Sequence, residues 1–246
     1  MSKSIIITGA AGGIGIGLTK YFAETGWKVG MVDIKPNLSD IASSIDGYVT
    51  PAICDVRSSD EVNEAIETLE GEIGPIDALI NNAGLVANIK SLAKMSDARW
   101  NNEIAVNLSS AFYFIRNLAP KMADRGWGRI VNVSSGAARS GLPAQVGYAS
   151  TKSAFWGLTS TTAAEFGHAG VTCNSILPGV IATPMVLSMP EHILKNAKGA
   201  NSVKRIGEVE EIAYLVEFLC SEQAGYITGA EIDIDGGLRL NNNAMT

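Results

Sequence analysis

The sequence has 246 residues, of which 46% are hydrophobic and 18% charged, and its formal net charge is −6. This composition excludes a disordered chain, and the negative charge argues against a general nucleic-acid or anionic-membrane surface. No apolar run approaches the ~20 residues that span a bilayer. The apolar segment near the amino terminus is short and is followed at once by glycines, which is not typical of a signal peptide. Three widely spaced cysteines without a C-x-x-C pattern indicate buried, reduced thiols. We therefore expect a soluble, cytoplasmic protein that binds neither nucleic acid nor membrane.

Short β-branched segments alternate with longer segments of helical periodicity. The helical patterns include GIGLTKYFAETG, SDEVNEAIETLEGEIG and EIAYLVEFLCSEQ. Strands separated mainly by helices predict an α/β fold with a seven-stranded, mostly parallel sheet and helices on both faces, forming a single domain over residues 1–246. The predicted strands are, in chain order, SIIIT (4–8), WKVGMVDI (27–34), YVTPAICDV (48–56), IDALINNAG (76–84), GRIVNVSS (128–135), VTCNSILPG (171–179) and GAEIDIDGG (229–237).

A glycine-rich turn, TGAAGGIGIG at residues 8–17, lies between the first predicted strand and the first predicted helix. Glycines at this place let the chain turn tightly and bring backbone N–H groups against a pyrophosphate at a helix N-terminus. A glycine pattern alone is a weak signal, and some of these glycines could serve packing only. Its position after the first strand nevertheless predicts a dinucleotide site, and the expected contacts are Gly9, Gly12, Gly13, Ile14 and Gly15.

Two aspartates follow the next predicted strands. Asp33 ends the second strand, where a carboxylate accepts hydrogen bonds from both hydroxyls of an adenosine ribose and repels a 2′-phosphate. We therefore expect NAD(H) to be preferred over NADP(H), although Lys35 weakens the preference and a solvated, helix-capping aspartate is the alternative. Asp55 ends the third strand and, with the backbone of Val56, is predicted to contact adenine. A cap for the following helix is nearly as good an interpretation of Asp55.

The segment GYASTKSAF at residues 147–155 places Tyr148 and Lys152 four residues apart, on one helical face. The ammonium group is expected to approach the phenol and to lower its pKa from ~10. Such a phenol is suited to acid–base chemistry on an alcohol or a carbonyl. The alternative is a solvated pair on the helix surface.

Six motifs in this order, TGAAGGIG, NNAG, AVNLSSAF, VSSGA, YASTK and PGVIAT, resemble the short-chain dehydrogenase/reductases, and the similarity runs from Ser4 to about Leu238. The resemblance implies a doubly wound, Rossmann-like fold and an NAD(P)-dependent oxidoreductase that interconverts a secondary alcohol and a ketone. The implied catalytic residues are Asn107, Ser135, Tyr148 and Lys152. In this assignment Tyr148 is the acid/base, Ser135 binds the substrate oxygen, Asn107 holds a water, and Lys152 also binds the nicotinamide ribose. Further cofactor contacts are implied at Asn81, Ala83, Gly84, Pro178, Gly179, Ile181 and Thr183, and at Tyr148 and Lys152 themselves.

Residues 184–205 form the predicted substrate lid, and their apolar character favours a mainly apolar alcohol or ketone. Substrate contacts are predicted at Ser135, Leu142, Gln145 and Met185. No metal is predicted, because His168 and His192 are isolated.

Two alternatives to this function remain open. One is a 3-oxoacyl-[acyl-carrier-protein] reductase, which HAGVTCN (168–174) disfavours because it has His168 and Ala169 where such reductases have basic residues that meet the acidic carrier. The other, of a different class, is a non-catalytic NAD(H)-binding regulator. The resemblance also implies a homotetramer.

Overall fold

The computed structural model describes residues 2–86 and 89–240. Within these ranges the strands are β1 (Ser4–Thr8), β2 (Lys28–Asp33), β3 (Val49–Ile53), β4 (Ala78–Asn81), β5 (Gly128–Val133), β6 (Val171–Pro178) and β7 (Glu231–Ile234). They form one sheet in the order β3-β2-β1-β4-β5-β6-β7. Every pair is parallel, so the sheet is wholly rather than mostly parallel.

Helices connect the strands on both faces of the sheet. The three helical patterns named from the sequence are confirmed as α1 (Gly13–Glu24), α3 (Ser59–Ile73) and α10 (Val209–Leu219). Two further helices, α2 (Leu38–Ser43) and α6 (Ala137–Ser140), have only one or two turns and are too short for periodicity to reveal. No helix of the described residues is long and apolar enough to cross a membrane. The helices are α1 (Gly13–Glu24), α2 (Leu38–Ser43), α3 (Ser59–Ile73), α4 (Asp97–Ile104), α5 (Ser110–Asp124), α6 (Ala137–Ser140), α7 (Val146–Phe166), α8 (Pro184–Leu187), α9 (Glu191–Ala200) and α10 (Val209–Leu219).

The order of the strands creates a cleft at the carboxyl edge of the sheet. The chain runs outward from β1 to β3 and then returns to place β4 on the other side of β1. Ligands of open parallel sheets bind at such a reversal. The glycine turn follows β1 and NNAG follows β4, so the two motifs meet there.

The sheet is buried between two apolar layers. In β1, Ile5 and Ile7 belong to the layer that includes α1 and α10, whereas Ile6 belongs to the layer formed with α3 and α5. A strand covered on both faces explains why β1 reads as an unbroken apolar run. Pro51 is tolerated because β3 is an edge strand. The three cysteines are buried and free, as predicted.

Helices α4 and α5 are halves of one long helix joined by a π-helical turn, Ala105–Ser109. Such a turn inserts an extra residue into an α-helix and is frequent at functional sites. Asn107 lies in this turn, with its side chain fully buried. The break in the regular helix therefore brings Asn107 to the loop that follows β4.

Candidate active site

The glycine turn between β1 and α1 packs too closely for side chains at several positions, and at Gly9 and Gly15 the nearest atoms are backbone atoms. Gly9 has a φ of +63°, and a Cβ there would lie 2.8 Å from the Cα of Ala83. A Cβ on Gly15 would lie 2.2 Å from the carbonyl oxygen of Gly9. The turn thus fits against the loop after β4, as the sequence predicts for a backbone that closely approaches its neighbours.

The N-terminus of α1 suits an anion. Its N-cap residue is Gly12, no side chain caps it, and its first turn, which includes Gly13, Ile14 and Gly15, holds no acidic residue. By contrast, hydroxyl groups cap the N-termini of α3 and α4, at Ser58 and Ser96. Uncapped N–H groups and the positive end of the helix dipole fit the pyrophosphate of a dinucleotide.

Asp33 and Lys35 hold the glycine turn from the end of β2. The Oδ2 of Asp33 accepts a hydrogen bond of 2.9 Å from the N–H of Ala11, and its Oδ1 accepts one of 3.1 Å from the N–H of Lys35. The ammonium group of Lys35 donates to the carbonyl oxygen of Ala11 at 2.8 Å. A carboxylate and an amine therefore both lie where the adenosine ribose is expected.

Asn82 and Thr8 bind the glycine turn to the loop after β4, and the sequence interpretation missed both. The Nδ2 of Asn82 donates to the carbonyl oxygens of Thr8 and Gly9, at 2.9 and 3.2 Å. The Oγ1 of Thr8 accepts from the N–H groups of Asn82 and Ala83, at 3.0 and 2.9 Å. The asparagine doublet in NNAG was the available signal, but the predicted contact lies at its first asparagine.

Asn81, the residue chosen, has a buried side chain that donates to the Oδ1 of Asn132 at 2.8 Å. This contact agrees with an interior packing role for the side chain. A cofactor contact at Asn81 stays a prediction.

Tyr148 and Lys152 lie on the first turns of α7, at the carboxyl edge of the sheet. The Nζ of Lys152 is 5.7 Å from the centre of the Tyr148 ring and donates to the carbonyl oxygen of Val133 at 2.7 Å. Lys152 is only 3% exposed, and a Cβ on Gly84 would lie 3.5 Å from its Nζ. The pair is therefore an interior arrangement beside the NNAG loop and not a solvated surface pair.

The predicted effect of Lys152 on Tyr148 is wrong for the protein alone. Burial raises the pKa of the Tyr148 phenol above its ordinary value of 10.0, and a hydrogen bond with Ser135 only partly opposes that shift. Burial also lowers the pKa of Lys152 to about 8. In the protein alone, burial of the phenol therefore outweighs the lowering of its pKa that was expected from Lys152.

The structure separates the two neighbouring serines after β5. The Oγ of Ser134 is buried and donates to the carbonyl oxygen of Lys152 at 2.8 Å, which is a packing role. Ser135 is half-buried, and its Oγ accepts the N–H of Ala137 at 3.1 Å and also hydrogen-bonds to Tyr148. The geometry thus agrees with the assignment of Ser135 as the serine beside the tyrosine.

The side chain of Asn107 pairs with a backbone segment. Its Oδ1 accepts the N–H of Leu85 at 2.6 Å, and its Nδ2 donates to the carbonyl oxygen of Leu85 at 3.1 Å. The same Nδ2 lies 3.3 Å from the Oγ1 of Thr151, the residue before Lys152. Asn107 therefore links the NNAG loop to α7, and its predicted water contact stays a prediction.

Asp55 lies beyond β3, which ends at Ile53, so the predicted end of that strand was too late. Its carboxylate binds the guanidinium of Arg57 in an ion pair that holds the pKa of Asp55 below its usual value. The helix cap suggested for Asp55 is wrong, because Ser58 caps α3. Val56 is buried, and the adenine contacts of both residues stay predictions.

The segment after β6 reaches across to the glycine turn. Thr183 caps α8, and a Cβ on Gly13 would lie 2.6 Å from the Cβ of Thr183. Ile181 is buried and pairs with Gly207 in an isolated bridge. Pro178 and Gly179 close β6, where the N–H of Gly179 donates to Ile234. Of the predicted nicotinamide residues, Thr183 therefore lies directly against the glycine turn, and the cofactor contacts of all four stay predictions.

The predicted substrate residues differ in their exposure to solvent. Leu142 and Met185 are 42% and 65% exposed, and α8 and α9 of the lid contain no buried residue. Gln145 immediately precedes α7, and its Oε1 is buried without a hydrogen-bond partner among the described residues. Ala144 beside it has a φ of +66°, a strained value of the kind found at binding loops. These contacts remain predictions.

Known proteins resemble this chain over nearly its whole length. A family model described as Enoyl-(Acyl carrier protein) reductase matches residues 9–239. The chain is 38% identical to 3-oxoacyl-[acyl-carrier-protein] reductase FabG of Thermotoga maritima, over 96% of this chain and 97% of that protein. It is 35% identical to acetoacetyl-CoA reductase of Cupriavidus necator, over 95% and 97% respectively. The solved structure of a 3-oxoacyl-[acyl-carrier protein] reductase with bound NAD from Brucella melitensis has a TM-score of 0.88 and 31% identity, over 96% of this chain and 90% of that one.

A parallel sheet with a glycine turn after β1, and a tyrosine, lysine and serine grouped at its carboxyl edge, define an oxidoreductase of the dinucleotide-dependent type. The chain belongs to the short-chain dehydrogenase/reductase family. This confirms the family, the fold class and the reaction class that the sequence motifs predict.

Proposed function

We propose that this protein reduces the ketone of a 3-oxoacyl thioester, with NADH as the preferred hydride donor. The grouping of Tyr148, Lys152 and Ser135 beside the glycine turn carries the reaction type. The named activities of the relatives narrow the apolar alcohol or ketone expected from the sequence to a 3-oxoacyl group. An alcohol dehydrogenase or carbonyl reductase acting on simple apolar substrates is the broader alternative.

The residues of this chain favour reduction over oxidation. Bound reduced nicotinamide supplies the hydride. Tyr148 is protonated at neutral pH, since the ordinary pKa of a phenol is 10.0 and burial raises it, so it can donate a proton to the substrate carbonyl oxygen. Ser135 stabilises negative charge on that oxygen. Lys152, with a pKa of about 8, is still mostly charged at neutral pH and stabilises the phenolate that remains.

Asp33 is the residue on which we base the NADH preference. Replacing Asp33 with alanine removes a carboxylate that would accept the ribose hydroxyls and repel a 2′-phosphate, while Lys35 remains to attract the phosphate. We expect the ratio of kcat/KM for NADH to that for NADPH to fall by about 30-fold, which corresponds to about 2 kcal/mol. Steady-state rates with both cofactors, at one fixed ketone concentration, measure this ratio.

Asp40 provides a control for this substitution. It is an exposed aspartate on the neighbouring helix α2, and Asp40→Ala changes the net charge equally. The ratio should stay within about twofold of the unmodified protein in this control. An unchanged ratio in Asp33→Ala would remove Asp33 from cofactor choice. The bound NAD of the Brucella melitensis reductase supports the preference.

We further propose that coenzyme A, and not a carrier protein, bears the acyl group. The chain has a net charge of −6, and residues 168–174 before and within β6 hold no lysine or arginine. The nearby Arg129 is buried, with its guanidinium bound to backbone carbonyl oxygens of Gly128, Gly170 and Ser221. An acidic carrier protein would therefore find no basic patch at this segment, whereas coenzyme A does not require a matching protein surface there.

The test compares acetoacetyl-CoA with the same acyl group on acyl carrier protein. Absorbance of reduced nicotinamide follows both reactions, and we expect a kcat/KM at least tenfold higher for the coenzyme A thioester. A higher value for the carrier thioester would reverse the proposal. Binding of NADH without turnover of either thioester, or of simple apolar ketones, would favour the non-catalytic regulator instead.

A homotetramer is the assembly that the family resemblance implies, and we propose it here. Aromatic side chains on α5, α7 and α10 are exposed in the single chain, which supports contact surfaces on these helices. Light scattering that gives the mass of one chain would contradict the proposal. The exposed aromatic residues are Phe112, Trp156, Tyr214 and Phe218.

A cytoplasmic location of the protein also stays a prediction.

A further inference from the structure

The end of β5 binds α7 at three successive residues. The Nδ2 of Asn132 donates to the Oγ1 of Thr159 at 2.9 Å. The carbonyl oxygen of Val133 accepts the Nζ of Lys152 at 2.7 Å, and the Oγ of Ser134 donates to the carbonyl oxygen of Lys152 at 2.8 Å. The same strand end therefore bonds both to the catalytic lysine and to a point about two helical turns further along α7.

The contact at Thr159 belongs to a buried chain of polar side chains that crosses three strands, which we name the polar ladder: Asn81, Asn132, Thr159 and Ser175. Asn81 lies opposite Asn132 in the register of β4 and β5, and Asn132 lies opposite Ser175 in that of β5 and β6. Asn81 donates to Asn132 at 2.8 Å, and the hydroxyl groups of Thr159 and Ser175 share a hydrogen bond of 2.7 Å. All four residues are at most 3% exposed.

Stability alone does not account for polar side chains at these positions. Buried polar groups gain little net free energy over well-packed apolar groups, since their desolvation offsets their hydrogen bonds. A directional hydrogen bond does, however, define one position of a helix along a strand, whereas apolar contacts tolerate small shifts. Thr159 and Lys152 lie on the same face of α7, so a shift at Thr159 also moves Lys152.

We propose that the polar ladder is a positioning device for the active site. It sets the position of α7 along β5. In that position Lys152 keeps its hydrogen bond to the carbonyl oxygen of Val133, and Tyr148 lies beside Ser135. Thr159 is a positioning residue in this arrangement, because it touches neither the substrate nor the cofactor cleft and acts through α7. The inference rests on the proposed function for its kinetic test only.

The experiment separates the hydroxyl group of Thr159 from its volume. Thr159→Val keeps the shape and removes the hydroxyl, whereas Thr159→Ser keeps the hydroxyl and leaves a small cavity. We expect Thr159→Val to lower kcat with acetoacetyl-CoA roughly tenfold, since small misplacements of catalytic groups are costly. Thr159→Ser should retain kcat within about twofold, even if its thermal midpoint is the lower of the two.

Thr162 supplies the matched control on the same helix. It is buried as well; its hydroxyl donates to the carbonyl oxygen of Leu158 within α7 and also hydrogen-bonds to the thiol of Cys173 on β6, which is not a member of the ladder. Thr162→Val therefore loses a hydroxyl without losing a bond between the helix and the ladder. Its kcat should stay within about twofold of the unmodified protein.

A second measurement does not depend on turnover. Lys152 is buried, so an amine-acetylating reagent should modify it slowly, and peptide mass spectrometry follows its rate. We expect modification of Lys152 to be roughly tenfold faster in Thr159→Val than in Thr159→Ser or Thr162→Val, because a displaced helix admits the reagent. If kcat and labelling instead follow thermal stability across the three variants, the ladder only packs the core and the proposal fails. A protein that turns over no ketone, yet shows this labelling pattern, would refute the proposed function and leave the positioning role standing.

Discussion

Replacing Tyr148 with phenylalanine is expected to lower kcat for ketone reduction about 10³-fold, because the substitution removes the proton donor and nothing else of comparable size. The ring still packs beside Lys152, whose Nζ lies 5.7 Å from its centre. The dissociation constant for NADH should therefore change by no more than about twofold. Absorbance assays with acetoacetyl-CoA give the rate, and fluorescence titration with NADH gives the binding.

The control for this substitution is Tyr214→Phe. Tyr214 is an exposed tyrosine on α10, and loss of its hydroxyl should leave kcat unchanged. Turnover that persists in Tyr148→Phe would remove Tyr148 from the mechanism and leave the lysine and serine without an acid to assist. Loss of NADH binding would instead assign Tyr148 to the cofactor site.

Lys152→Met is expected to abolish measurable turnover while raising the stability of the fold at neutral pH. The lysine is fully enclosed, and burial lowers its pKa from 10.5 to about 8. That difference corresponds to about 3 kcal/mol of destabilisation by the buried charge. Methionine fills a similar volume without a charge, although it leaves the carbonyl oxygen of Val133 without its ammonium donor, which reduces the gain.

The stability gain of Lys152→Met is expected to fall as the pH rises. Between pH 8 and 10.5 the unfolded chain holds a proton on Lys152 that the folded chain has released, so the stability of the unmodified protein rises with pH. Lys152→Met lacks that rise. Its advantage should therefore be full below pH 8 and should shrink as the pH approaches 10.5.

Urea unfolding at pH 7 and pH 10 measures the difference. Lys198→Met, at an exposed position on α9, is the control and should show no such pH dependence. A Lys152→Met protein that is less stable at both pH values by the same amount would show that the buried lysine carries no desolvation penalty.

The order of elements and the reaction class could be predicted from the sequence because both depend on local patterns. An unbroken apolar run such as Ile5–Ile7 identifies a strand covered on both faces, and a glycine turn after that strand identifies a dinucleotide site. The four-residue spacing of Tyr148 and Lys152 places both on one helical face wherever the helix lies.

Contacts between distant segments could not be predicted, since periodicity carries no information about which side chains meet. The sequence motif predicts a cofactor contact at Asn81 and none at Asn82. In the structure Asn82 binds the glycine turn, whereas Asn81 binds Asn132. Ser58 rather than Asp55 caps α3, and the carboxylate of Asp55 binds the guanidinium of the neighbouring Arg57 instead.

By itself, then, the sequence determined a parallel α/β fold, a dinucleotide turn and a tyrosine–lysine pair. The tertiary structure alone decided the protonation of that pair, because burial of Tyr148 raises one pKa and burial of Lys152 lowers the other. Desolvation of a group depends on every segment that packs around it, and the four-residue spacing within one helix gives no information about that packing.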